Sequence, residues 1–61
     1  MTFGERVEEM FDKYSKYPKD EALSRLGDLQ FFIQTADRLS DYDKITLDVI
    51  TEVKRHIKEE R

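Results

Sequence analysis

Ala22-Leu23-Ser24-Arg25-Leu26-Gly27-Asp28-Leu29-Gln30-Phe31-Phe32-Ile33-Gln34-Thr35-Ala36 is the stretch whose reading decides the fold. Ala22, Leu26, Leu29, Ile33 and Ala36 recur at spacings of 4-3-4-3, a heptad-like seam that lines one side of an α-helix. Leu23, Phe32 and Leu39 widen that stripe on its two flanks. The seam runs through Gly27, a residue that costs about 1 kcal/mol relative to alanine inside a helix and so marks either a close approach or a weak point. Upstream, Pro18 suits a first-turn or capping position, and Asp20 and Glu21 complement the positive end of the helix dipole. The spacing therefore predicts a helix over 19–39.

Downstream, Ser40-Asp41-Tyr42-Asp43 reads as a short turn that doubles as a capping box. Beyond it Tyr42, Ile45, Val49, Ile50, Val53 and Ile57 form a second stripe, predicting a helix over 41–59 with His56 at one margin. So short a connection makes the two helices an antiparallel hairpin. Upstream of Pro18, Thr2-Phe3-Gly4-Glu5 is another capping box, followed by Phe3, Val7, Met10, Phe11, Tyr14 and Tyr17 on one face. Proline disfavours an α conformation in the residue before it, so this helix, predicted over 3–16, stops short of Pro18. β-branched residues are scattered along the chain, so strands are not expected. The expected fold is all-α: three amphipathic helices packed as a small helical bundle, one domain spanning 1–61.

Composition narrows function mainly by exclusion. The 61 residues contain no cysteine, one histidine and two glycines 23 positions apart. Disulfides, thiolate metal sites, a nucleophile elbow, a His-Glu-x-x-His pair and a glycine-rich phosphate loop are all absent from the sequence. Glu52, His56 and Glu60 stand at i, i+4 and i+8, a spacing that reaches a metal. The Glu-x-x-His element of di-iron bundles is missing, however, and a histidine near a helix C-terminus is more simply a core-edge residue. The sequence is thus read as non-enzymatic, with no cofactor and no metal.

Net charge is −3, shared evenly, since residues 1–18, 19–39 and 40–61 each carry one more acid than base. The longest apolar run is Phe31-Phe32-Ile33, far below the roughly 20 residues of a membrane span. The N-terminus has no apolar leader, and with the lack of cysteine this leads to the expectation of a cytoplasmic protein that does not enter a membrane.

Two apolar residues lie off their stripes. Phe31 stands roughly 150° from the centre of its helix's stripe and Leu47 roughly 130° from that of its own. In a hairpin turning near residue 40 they stand at similar height, an arrangement expected of a protein-interaction surface. A chain this short gains little from its own core, so the reading extends to a homodimer with Phe31 in or beside the interface. The expected function is that of a non-catalytic interaction or regulatory protein, an adaptor, inhibitor or modulator acting through exposed helix faces.

An alternative is RNA or DNA binding through the basic flank of the last helix, Lys54, Arg55, Lys58 and Arg61. A helix-turn-helix reading places Leu23, Gly27, Ile33 and Ala36 in its pattern, but the seam continues through the supposed turn. Small size, charge density and absence of motifs also suit phage-type modulators of host machinery.

Overall fold

The computed structural model describes residues 2–60, the side chain of Glu60 excepted. It contains three helices, α1 (Phe3–Tyr14), α2 (Lys19–Gln34) and α3 (Asp41–Glu60), and no strand among the described residues. Both expected capping boxes form. The Glu5 N–H donates to the Thr2 hydroxyl at 3.2 Å, and the Thr2 N–H donates back to the Glu5 carboxylate at 3.2 Å. At the start of α3 the Asp43 N–H donates to the Ser40 hydroxyl at 3.1 Å, and the Ser40 N–H reaches Asp43 Oδ2 at 3.2 Å. Each box satisfies two backbone donors that a helix N-terminus would otherwise leave bare. Pro18 caps α2 without a side-chain bond, its carbonyl accepting from the Ala22 N–H at 2.8 Å.

α2 stops five residues before the expected end at Leu39. The Thr35 hydroxyl donates to the Phe32 carbonyl at 3.0 Å, and the Ala36 N–H donates to Ile33, three residues back, at 3.2 Å. The ladder tightens there and ends. A helix to 39 followed by one from 41 leaves a single residue to reverse the chain, whereas helix hairpins commonly need two to eight. Residues 35–40 supply that length. Ala36 consequently leaves the seam and is exposed, and Leu39 is only half-buried.

The core is small and centred on α3. Val49, Ile50, Val53 and Ile57 pack with Ala22 and Leu26 of α2 and Val7 of α1, while Met10, Phe11, Tyr14, Tyr17, Leu23, Leu29 and Ile33 close its margins. The hairpin register is the expected one: Leu29 shares a cleft with Val49, Ala22 another with Ile57, and Lys54 donates to Gln30 at 3.3 Å. α1 packs on α3 as well. Arg6, Met10 and Lys13 on one of its flanks adjoin Tyr42, Thr46 and Val49, whereas Phe3, Val7 and Phe11 on the other adjoin Glu52 and His56. One flank looks toward each end of α3, so α1 lies across that helix. Twelve residues make only about 18 Å of helix against about 30 Å for the 20 residues of α3. In the first turns of α3 Arg6 of α1 reaches the Tyr42 ring, yet two expected stripe members stay largely bare: Tyr42 is 61% and Ile45 43% exposed.

Candidate interaction surface

Apolar side chains outside the core gather where α2 ends and α3 begins. Phe31 is 67% exposed, in keeping with its position off the seam. Phe32, expected on the flank of the buried stripe, is 76% exposed, the barest of the large apolar residues. The reason is angular. Consecutive residues on a helix diverge by 100°, so Phe31 and Phe32 cannot both face α3, and Leu26, Leu29 and Ile33 already occupy that side. Phe32 stands ~80° round from the seam, beyond what α3 covers and past the reach of α1.

Leu47 behaves differently. It is half-buried, on the flank of α3 that also carries Thr51 and Lys54, with the Thr51 hydroxyl donating to its carbonyl oxygen at 3.0 Å. Much of its surface is taken up by the fold itself. The exposed large apolar residues are thus Phe31, Phe32, Tyr42 and Ile45 at this end and Phe3, 45% exposed, at the start of α1; of these only Phe31 stands off its stripe in the sequence.

Next to this group lies an open cleft between α1, α3 and α2. Met10, Leu29 and Val49 form its apolar lining, Tyr14, Tyr42 and Thr46 add rings and a hydroxyl, and Arg6, Glu9 and Lys13 carry its charge. The Arg6 guanidinium sits 4.5 Å above the Tyr42 ring centroid, and the Lys13 ammonium 5.7 Å from that of Tyr14. Neither cation forms an ion pair among the described residues. A second groove on the opposite flank of α1 is lined by Phe3, Val7, Phe11, Glu52 and His56. There the His56 ring meets Phe11 edge-on at 6.2 Å and its Nε2 lies 3.7 Å from Glu52.

The basic flank of α3 is largely engaged. Arg55 donates to Glu52 at 2.8 and 3.2 Å and to Glu59 at 3.0 Å. Those bonds raise the Arg55 pKa and hold the Glu52 carboxyl below its ordinary range. Lys54 and Lys58 line a shallow groove with Gln30, Thr51 and Arg55, and Lys54 is already bonded to Gln30. Arg61 lies outside the described residues, as does the Glu60 side chain of the Glu52/His56/Glu60 set. Among the described residues no three His, Cys, Asp or Glu side chains cluster as metal ligands. Among the described residues no helix is long and apolar enough to cross a membrane.

Fold and surface together define a small three-helix protein, centred on its last helix, with an apolar end and an adjoining cleft. No family model matches the chain, and no curated protein or solved structure resembles it closely enough to place it further.

Proposed function

We propose that this is a non-catalytic interaction protein, an adaptor, inhibitor or modulator, that works through its exposed helix faces and pairs with a second copy of itself. The observation that carries the reading is the bare apolar end: Phe31, Phe32, Tyr42 and Ile45 stay exposed although the core closes without them. At about 200 Å² per large side chain, their exposed fractions sum to roughly 500 Å². Patches of that size on a small protein commonly mark contacts.

Sedimentation at micromolar concentration tests the pairing. The wild-type protein should sediment as a dimer, and Phe31→Glu, which brings two like charges near the two-fold axis, should sediment as a monomer. A wild type that stays monomeric removes self-pairing from the reading.

Nucleic-acid binding through α3 has narrower support. The groove lined by Lys54, Arg55 and Lys58 has no carboxylate in its walls, which favours an anion. Arg55, however, is held between two glutamates, leaving little uncompensated charge. Filter binding of RNA over a salt series decides it, since phosphate contacts release counterions and steepen the salt dependence.

A further inference from the structure

We infer that the two copies join reciprocally, Phe32 of each seating in the cleft between α1 and α3 of the other; the inference rests on the pairing proposed above and specifies its geometry. Projection and recess lie on the same side of the molecule. Leu29 lines the cleft, and Phe32 stands one turn further along α2, ~60° round from it. A two-fold axis beside α2 places each Phe32 opposite the other copy's cleft and closes the assembly at two, as a self-complementary face requires. The apolar lining of Met10, Leu29 and Val49 suits a phenyl ring, and Tyr42 at the cleft offers an edge or face to it.

Charge supports the same occupant. Asp28 lies one turn before Phe32 on the outer side of α2 and has no ion-pair partner among the described residues. Arg6 and Lys13 at the cleft meet only aromatic rings. Seating Phe32 carries Asp28 to that rim, where two cations outnumber the single Glu9. Area supports it as well. The exposed apolar end alone offers roughly 500 Å², more than half of the ~800 Å² per partner of standard interfaces. Phe31, pointing away from the cleft, then flanks the axis without filling a recess. The anchor of the interface is Phe32.

The chain has no cysteine, so introduced thiols report the geometry directly. One chain carrying Asp28→Cys is mixed with another carrying Lys13→Cys and treated with a short bis-maleimide; both positions are exposed, so folding is not at stake, and both chains keep the Phe32 anchor. The mixed product should exceed that from Phe31→Cys with Lys13→Cys at least fivefold. In parallel, Asp28→Lys should weaken dimerisation about tenfold, and mixing it with a Lys13→Glu chain should restore most of the loss. A wild type that sediments as a monomer overturns both the pairing and this geometry. A wild-type dimer with no preference for the 28–13 crosslink, or with no rescue by the charge exchange, overturns the seating of Phe32 and leaves the pairing standing.

Discussion

Gly27 shows how much a single residue can be read once its surroundings are known. Its spacing within the seam left two meanings, a close approach of backbones or a weak turn. A Cβ placed on it meets no atom within 4 Å, and its φ is not positive. That excludes the close approach and leaves the weak point in the helix. Gly27→Ala should stabilise the protein by about 1 kcal/mol, through the restricted unfolded chain and better helix propensity. In a domain of this size that corresponds to a rise in Tm of about 4–8 °C, measurable by circular dichroism. The two phenylalanines carry a complementary lesson. Since Phe31 and Phe32 are largely solvated in a single copy, polar replacements there should leave monomer stability nearly unchanged while altering association.

At the scale of the element, the N-terminal caps do more than propensity to set the helix starts. Thr2→Ala or Ser40→Ala removes the acceptor for one backbone donor and should each cost about 1 kcal/mol. The first box also creates a pH dependence. The Thr2 N–H and hydroxyl hold the Glu5 carboxyl below its ordinary 4.5, the backbone bond being the larger cause. A lowered carboxylate pKa contributes stability that is fully present above about pH 4.5 and lost as pH falls through the folded value. Glu52, lowered chiefly by its bonds to Arg55, acts in the same direction. Acid titration of Glu5→Gln should accordingly show a shallower loss of stability below pH 4.5 than the wild type. An unchanged acid limb would mean that the box is not formed in solution.

For the whole molecule, stability rests on very few residues. Leu26, Ile50 and Val53 are fully buried, and the core holds seven buried residues in all. A single core of this size supplies about 3–5 kcal/mol, while a buried Leu→Ala change costs about 2–5 kcal/mol. Leu26→Ala should therefore unfold the isolated protein at room temperature, seen as loss of the cooperative thermal transition. If the copies pair as inferred, raising the concentration of wild type should raise its Tm, because association stabilises only the folded state.

By itself the sequence determined the number of helices, their amphipathic faces, both capping boxes and the hairpin register. These depend on local spacing and on neighbours three or four residues apart, which the chain carries in one dimension. Leu26, Val49, Ile50, Val53 and Ile57 were legible as core for the same reason. Only the tertiary structure decided which stripe members would find a partner. α1 reaches Tyr42 only through Arg6 and leaves Tyr42 and Ile45 largely exposed. The chain reversal at 35–40 takes Ala36 out of its seam. Phe32 is bare and Leu47 half-buried because the extent of burial depends on the length and crossing angle of helices far away in sequence, which periodicity along one helix does not contain.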